Sequence, residues 1–157
     1  MDNTKVEVKN TKFGKGLFVN EKINVNEEIA SFDGQTFYDN DSILDSINHA
    51  IQLADSVWRD SKGFARYANH SCDPNCGIID NNKITAMRDI NAGEEITWDY
   101  EMTEDQWTNN DNTPYFMDCK CGSKICRGKI GSYKNMPQEI RDKYKGFISQ
   151  WLIDKYK

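Results

Sequence analysis

Two stretches of the chain decide its fold, RYANHSCDPNC at residues 66–76 and AGEEITWDY at residues 92–100. The first places the polar run Asn-His-Ser before a turn that Pro74 fixes. The second follows a glycine-containing turn and ends on Tyr100. Polar groups capable of chemistry are therefore predicted to lie beside turns and short extended segments.

Short strands are predicted on both sides of these stretches. Val6 and Val8 alternate with charged residues, and the apolar run at residues 29–32 ends at an Asp-Gly turn. Residues 78–87 carry two apolar runs separated by Asp-Asn-Asn, a pattern typical of a β-hairpin. The chain is therefore predicted to be mainly β.

A short helix is predicted between these strands. Residues 40–42, Asn-Asp-Ser, are suited to cap a helix that carries Ile43, Leu44 and Ile47 at helical spacing. The next residues, 49–54, fit either a continuation of this helix or a strand, and their periodicity does not distinguish the two.

The C-terminal segment also has helical periodicity. Pro137 occupies a helix-starting position, and apolar residues then recur at spacings of three and four, namely Ile140, Tyr144, Phe147, Ile148, Trp151 and Leu152. This pattern predicts one helical face, in which Gly146 is the point of interruption. Residues 103–118, rich in Asn, Asp and Thr, have no clear period and are predicted to form a surface loop.

Length and composition limit the class of protein. A chain of 157 residues with 38% hydrophobic residues has room for one core of its own. No stretch approaches the roughly 20 apolar residues of a membrane span, and the N-terminus lacks the apolar run of a signal peptide. The net charge of −5 disfavours phosphate-driven nucleic-acid binding and favours a basic peptide as partner. We therefore expect an intracellular protein, in the cytoplasm or nucleus, that binds neither membrane nor nucleic acid.

The cysteines favour a metal site over disulfides, because five is an odd number. Cys119, Cys121 and Cys126 are spaced to wrap one tetrahedral zinc ion, which needs a fourth ligand. Spacing does not decide between Cys72 and Cys76; we assign Cys72 and expect Cys76 to be a core thiol. A structural zinc ion is predicted because no open coordination position is implied, and the alternative is a set of buried or free thiols.

Three segments together resemble the SET family of protein-lysine methyltransferases. GKGLF at residues 14–18 resembles the opening glycine motif of that family, residues 66–76 its Asn-His-Ser signature, and residues 92–100 its closing catalytic motif. A glycine pair alone is weak evidence for this family. The other two motifs are strong evidence, because they are long, correctly ordered and followed by the cysteine cluster. The resemblance covers Lys5 to Gly128 and includes an ending similar to a post-SET segment.

This resemblance implies a fold and a cofactor site. The fold is expected to be mainly β, a SET fold of several small curved sheets with a pseudoknot, short helices, a post-SET zinc segment and a C-terminal helix. S-adenosylmethionine is the expected cosubstrate, beside the structural zinc ion. The cofactor-binding residues that the resemblance carries over are Lys15, Gly16, Leu17, Arg66, Tyr67, Asn69, His70, Tyr100 and Ile130. His70 is expected to be packed and hydrogen-bonded without transferring a proton, and His49 to be structural.

The resemblance also assigns the chemistry. Tyr100 takes the position of the catalytic tyrosine, and the channel for the substrate lysine is implied to be lined by Phe32, Trp98 and Tyr100. Trp98 stands where the commonest pattern has Phe or Tyr. An indole need not hold the water that opposes further methylation, which favours di- or trimethylation, but its bulk also narrows the channel. Phe32 stands where many relatives place a tyrosine, so we expect no hydrogen bond from it to the lysine nitrogen.

The predicted function is methyl transfer from S-adenosylmethionine to the side-chain amine of a lysine in a protein or a histone-like tail. Glu101, Glu104 and Asp105 are expected to favour a basic peptide. The alternative is a non-catalytic SET-like module that binds a lysine-containing peptide or a partner; the presence of Asn69 and Tyr100 argues against it. A zinc hydrolase would need His or carboxylate ligands around an open position, which the cysteine cluster does not supply.

The motifs predict four successive parts of the chain. These are a SET domain at 1–102, a loop at 103–118, a post-SET zinc-binding segment at 119–130 and a helical extension at 131–157.

Overall fold

A computed structural model describes the protein over residues 4–39, 41 and 49–157. The helix predicted to begin after residues 40–42 and to carry Ile43, Leu44 and Ile47 lies outside these residues, apart from Asp41.

The described residues form short strands and a few short helices. In chain order the strands are β1 Val6–Thr11, β2 Gly14–Val19, β3 Glu28–Ser31, β4 Thr36–Tyr38, β5 Ile51–Ala54, β6 Val57–Arg59, β7 Asn69–His70, β8 Cys76–Ile79, β9 Lys83–Ala86, β10 Thr97–Trp98, β11 Met117–Asp118 and β12 Lys129–Ile130. Helices of the 3-10 type span Phe64–Tyr67, Tyr100–Met102 and Tyr133–Asn135, and the α-helices are α1 Gln138–Lys143 and α2 Gln150–Lys155. The mainly β prediction is confirmed, and the ambiguous residues 49–54 contain strand β5.

The strands pair in several small sheets instead of one large one. β1 pairs antiparallel with β2, β9 lies between β3 and β8, and β6 lies between β4 and β5. The predicted hairpin is β8–β9, and its turn contains Asp80 and Asn81 at φ values of 51° and 66°. Asp and Asn tolerate this left-handed conformation better than most residues, which explains why they occupy the turn.

One apolar core joins these sheets. Leu17 of β2, Ile78 of β8 and Ile84 of β9 are each 0% exposed, and Ile96 before β10 is also fully buried. The alternation along β2, where Leu17 and Val19 are buried and Phe18 is partly exposed, shows one face of the strand on this core. This core therefore supports the strand ends at which residues 66–76 and residues 92–100 meet.

The C-terminal segment forms two helices where one was predicted. Gly146 lies between α1 and α2 at φ 87°, a left-handed conformation that ends a helix without strain for glycine. Tyr144 and Leu152 are 0% exposed, and the amide of Ile78 donates to the carbonyl of Phe147 at 2.8 Å. The segment is therefore packed on the edge of β8. Neither α1 nor α2, nor any other described helix, is long and apolar enough to cross a membrane.

The predicted loop at residues 103–118 is only partly at the surface. Thr103 and Glu104 are 0% and 5% exposed, whereas Tyr115 and Phe116 are 45% and 39% exposed. The loop begins inside the protein because it directly follows the buried 3-10 helix at Tyr100–Met102.

Candidate active site

The two decisive stretches lie side by side. β7 pairs in parallel with β10, with Asn69 opposite Thr97 and His70 opposite Trp98. The amide of Ser71 also donates to the carbonyl of Trp98 at 3.1 Å. This pairing brings the Asn-His-Ser run directly beside Tyr100.

Asn75 fixes the relative position of the two stretches. Its Nδ2 donates to the carbonyl of Glu95 at 2.8 Å, and its Oδ1 accepts from the amide of Thr97 at 3.0 Å. Asn75 is 5% exposed, and the amide groups of buried side chains are costly to leave unpaired. Its two hydrogen bonds therefore hold the turn after β7 against the start of β10.

Gly16 leaves room for a close approach within the protein itself. Asn69 Nδ2 donates both to Glu95 Oε1 at 2.8 Å and to the carbonyl of Lys15 at 3.0 Å. A Cβ atom on Gly16 would lie 2.5 Å from Glu95 Oε1. The glycine thus lets β2 reach the Asn69–Glu95 pair, a reason for Gly16 in addition to the predicted cofactor contact.

The predicted cofactor residues fall into two groups. At the β2 edge, Lys15 Nζ and Arg66 Cζ each lie 5.8 Å from the centre of the Tyr67 ring. Leu17 is on the same strand but fully buried in the core. Ile130, on β12, belongs instead to a small cluster with the cysteines, against which Tyr100 also packs.

His70 connects the residues at the β2 edge with the cluster of Ile130 and the cysteines, and its side chain is neutral. Its Nδ1 accepts from the amide of Tyr100 at 3.3 Å, which assigns the ring proton to Nε2. Nε2 lies 3.4 Å from the sulfur of Cys72. Burial, assisted by the charge of Arg127, lowers the pKa of His70 to about 3. The ring is therefore uncharged at neutral pH, and the geometry gives it a positioning role.

Tyr100 presents a neutral phenol. Its ring centre lies 4.9 Å from that of Trp98 and 5.2 Å from that of His70. Burial raises the pKa of Tyr100 to about 12, so the hydroxyl keeps its proton and is able to donate as well as accept a hydrogen bond.

All three predicted channel residues line one cavity of about 230 Å³. Phe32, Trp98 and Tyr100 share it with residues that include His49, Trp58, Arg66, Ala68, Glu104, Trp107 and Met117. Trp98 is 4% exposed, and its Nε1 donates to the carbonyl of Ala68 at 3.2 Å. The indole is thus fixed as an apolar wall. Of the predicted cofactor residues, only Arg66 and Tyr100 also reach this cavity.

The four cysteines of the predicted zinc site lie together. The sulfurs of Cys72, Cys119, Cys121 and Cys126 all lie within 4.8 Å of one another. Backbone amides approach this group, with Arg127 N 3.4 Å from the Cys72 sulfur and Gly128 N 3.4 Å from that of Cys126. A set of four sulfurs with N–H donors around them fits a tetrahedral thiolate site for zinc.

Cys76 lies apart from this cluster, in the main core. It is 0% exposed, and burial strongly raises the pKa of its thiol. These properties are those of an inert core thiol.

A buried ion-pair network links the cysteine segment to the residues on either side of Tyr100. Arg127 Nη2 lies 2.7 Å from Asp99 Oδ2, and Nη1 lies 3.4 Å from Glu101 Oε2. The three side chains are 19%, 0% and 6% exposed, in that order. Burial alone would lower the pKa of Arg127, but Asp99 and then Glu101 raise it, so the guanidinium stays charged. Tyr100 lies between the two carboxylates in sequence, and its backbone is therefore tied to the residue after Cys126.

Arg127→Met is expected to destabilise the protein by about 3–5 kcal/mol near pH 8, because it leaves two buried carboxylates without a cation. Burial and the charge of Asp99 already raise the pKa of Glu101 to about 7. A folded-state pKa above the unfolded value means that stability is lost as pH rises through it, so the deficit should shrink towards pH 5. Urea unfolding at pH 8 and at pH 5 measures the loss in the free energy of unfolding. Arg88→Met, which breaks the exposed pair with Glu94, should cost less than about 1 kcal/mol; an equal cost for the two variants would contradict the network.

Sequence reasoning missed several residues of this site. The sequence motifs assign no role of their own to Arg127 or Asp99, and they place neither His49 nor Trp107 in the cavity. One signal exists for Asp99, which is a charged residue between two aromatic residues, Trp98 and Tyr100. For His49 and Trp107 no signal is available, because neither lies in one of the motifs.

Comparison with known proteins defines the family. The family model described as "SET domain" matches residues 14–101, more than half of the chain. The chain therefore belongs to the SET domain family, and the predicted resemblance is confirmed.

Individual relatives carry related names. The chain is 32% identical over 149 residues to the putative histone-lysine N-methyltransferase ASHH4 of Arabidopsis thaliana, covering 80% of this chain and 39% of the relative. It is 44% identical over 73 residues to the H3 lysine-4 specific histone-lysine N-methyltransferase of Emericella nidulans, covering 42% of this chain and 6% of the relative. The chain thus spans well under half the length of these relatives.

A solved structure shares the fold. The crystal structure of KRYPTONITE in complex with mCHH DNA, H3(1–15) peptide and SAH has a TM-score of 0.64, with 22% identity, over 80% of this chain and 29% of that chain. The match supports the SET fold of small sheets expected from the sequence.

Proposed function

We propose that the protein is an S-adenosylmethionine-dependent protein-lysine N-methyltransferase. The observation that carries this proposal is the position of Tyr100 where two sets of residues meet. One set is predicted to hold the cofactor, and the other lines the cavity predicted to admit the substrate lysine. Family membership and the names of the relatives agree with it.

The residues at the β2 edge fit the proposed cosubstrate. S-adenosylmethionine combines an aromatic base with a charged amino-acid part, and it supplies a methyl group on a sulfonium. The partly buried ring of Tyr67, flanked by the cations of Lys15 and Arg66, is suited to such a ligand. The backbone of Asn69 and His70 in β7 would complete the site, with His70 neutral and firmly held.

Tyr100 and the cavity prepare the acceptor. Methyl transfer to an amine is an in-line displacement, so the protein must mainly align the reactants and present the amine uncharged. Aromatic walls such as those of Phe32 and Trp98 disfavour the ammonium form by desolvation. The phenol of Tyr100, neutral at working pH, would orient the amine nitrogen and exclude water from its path.

The tail of the chain is proposed to close this site through zinc. Cys72, Cys119, Cys121 and Cys126 would hold one structural ion, and all four positions would be filled by sulfur. The proposal includes the division of the chain into a SET domain, a loop, a post-SET segment and a helical extension. Cys72 and the Arg127 ion pairs join the post-SET segment at 119–130 to the SET domain.

The proposed substrate is a lysine in a protein tail, with histone H3 as the first candidate. Two relatives are named for histone lysines, and KRYPTONITE was crystallised with an H3 peptide. Such a substrate places the protein at chromatin, in the nucleus. The expectation that it binds no nucleic acid stays a prediction from net charge.

Incubation with methyl-labelled S-adenosylmethionine, histones and cell lysate tests the function. Label on lysine side chains, detected by mass spectrometry, is the expected result. Cofactor binding without any transfer would instead favour the non-catalytic SET-like module.

Trp98→Phe is expected to raise the fraction of di- and trimethylated product several-fold. The smaller ring enlarges the cavity and frees the carbonyl of Ala68, to which the indole is bonded. Mass spectrometry of a peptide product over time measures the distribution. Trp151→Phe, which changes a tryptophan on α2 outside the cavity lining, is the matched control. An unchanged distribution in Trp98→Phe would remove this residue from control of the product number.

A further inference from the structure

The three acidic residues after Tyr100 differ in what they face. Glu101 accepts from the amide of Gly131 at 2.8 Å and pairs with Arg127. Asp105 pairs with Lys155 at 2.8 Å. Both are engaged within the protein, so the expectation that they attract a basic peptide is wrong for these two. Glu104 is the one of the three that lines the cavity shared with Tyr100.

Glu104 is a buried carboxylate held in place by neutral donors. It is 5% exposed and accepts from the amide of Gln52 at 3.4 Å, from Thr103 Oγ1 at 3.2 Å and from Trp107 Nε1 at 3.1 Å. Within the described part of the chain, Glu104 takes part in no ion pair within 4.0 Å. A carboxylate in this setting is expensive to keep ionised unless a cation joins it.

The other charged and titratable groups around the cavity do not fill that role. Arg66 lies near the Tyr67 ring and His49; burial, followed by the charge of Arg66, lowers the pKa of His49. Tyr100 keeps its proton, and Asp105 has the same sign as Glu104. Trp58, Trp98 and Trp107 form much of the remaining wall. These aromatic walls disfavour a free ammonium group by desolvation, and the one carboxylate among them is the group that is able to offset this cost by pairing with it.

We propose that Glu104 binds the ammonium group of the target lysine in this cavity and accepts one of its protons before methyl transfer. This rests on the proposed methyltransferase function. An N–H bond of the ammonium breaks as an O–H bond forms on the Glu104 carboxylate, which leaves the nitrogen lone pair free. The lone pair then forms the N–C bond to the methyl group while the C–S bond breaks and its electron pair stays on sulfur. Glu104 returns its proton to solvent when the methylated side chain leaves.

The electrostatic setting of Glu104 agrees with this role. Burial raises its pKa to about 7, although the bonds from Trp107, Thr103 and Gln52 oppose the rise. A carboxylate with a pKa near the working pH takes up and releases a proton readily. Burial lowers the pKa of His49 and raises that of Tyr100 to about 12, whereas the pKa of Glu104 lies near the working pH.

Glu104→Gln tests the proposal against Asp105→Asn, a neighbouring loss of charge outside the cavity. With an H3(1–15) peptide and S-adenosylmethionine, kcat/KM of Glu104→Gln should fall about 10²-fold at pH 7.5. The deficit should shrink towards pH 10, where the peptide lysine is itself partly neutral. Asp105→Asn should keep the wild-type profile. A Glu104→Gln profile that matches the wild type at every pH would overturn the inference while leaving the methyltransferase function intact.

A second measurement uses the wild-type protein without turnover. The carboxyl carbon of Glu104, followed by ¹³C NMR, should titrate near pH 7 and shift to lower pH when n-butylammonium is added, because a cation favours the ionised form. The neutral n-butanol should cause no shift. An n-butylammonium titration that leaves Glu104 unmoved would overturn the inference. Absence of methyl transfer by wild type to H3(1–15) and to a histone and lysate mixture would remove the proposed function, and this inference with it.

Discussion

Tyr100→Phe is expected to lower kcat for lysine methylation by about 10²- to 10³-fold, the usual cost of removing one hydrogen-bonding group that acts in a transition state. The phenol lies at the junction of the cavity and the cofactor residues, and burial keeps it neutral. Loss of the hydroxyl leaves the ring in contact with Trp98 and His70, so the fold should be retained.

Single-turnover kinetics and calorimetry together measure this change. S-adenosylmethionine should bind Tyr100→Phe with an affinity within about threefold of wild type, because a group that acts on the transition state contributes little to ground-state binding. Tyr38→Phe is the matched control, since Tyr38 is 58% exposed and lies outside the cavity lining. Turnover retained by Tyr100→Phe would remove Tyr100 from its proposed role.

Cys121→Ser is expected to reduce the bound zinc from about one ion per chain to a small fraction and to disorder the tail. Four sulfurs surround the proposed site, and structural zinc in small domains contributes about 10–16 kcal/mol to folding. Without the ion, residues 119–130 lose their anchor, and the contacts of Arg127 with Asp99 and of Ile130 with Cys72 weaken. Methyl transfer should fall along with the metal content.

Cys76 provides a control within the same chain. Cys76→Ala removes a core thiol outside the cluster, so it should lower the melting temperature while the zinc content stays near one ion per chain. Elemental analysis and limited proteolysis of the tail distinguish the two variants. Full zinc content in Cys121→Ser, with an uncleaved tail, would contradict the site.

Local sequence patterns were sufficient for several features. The β8–β9 hairpin follows from two apolar runs around Asp80 and Asn81, whose side chains tolerate a left-handed turn. The metal prediction follows from the spacing of Cys119, Cys121 and Cys126, because three ligands within eight residues necessarily stay near one another. Such features depend on neighbours along the chain.

Periodicity failed where tertiary contacts compete with it. In residues 131–157 the break between α1 and α2 falls at Gly146, the predicted point of interruption, but the helical pattern gave no sign that the Ile78 amide of β8 bonds to the Phe147 carbonyl. Residues 103–118 have a polar composition typical of a surface loop, but Glu104 is drawn inside by bonds from Gln52 and Trp107. Neither outcome is encoded by spacing.

The sequence by itself determined the family, the candidate catalytic tyrosine and the residue types of the channel and the metal site, because these lie in contiguous motifs whose order is readable along the chain. Only the tertiary structure decided that Cys72 and not Cys76 joins the cluster, that Arg127 forms an ion pair with Asp99, and that Glu104 lines the cavity of Tyr100. The physical reason is that these choices depend on which side of a short strand or turn a residue faces and on what distant segment packs against it. Burial and charge pairing across the fold fix that, and no local pattern records it.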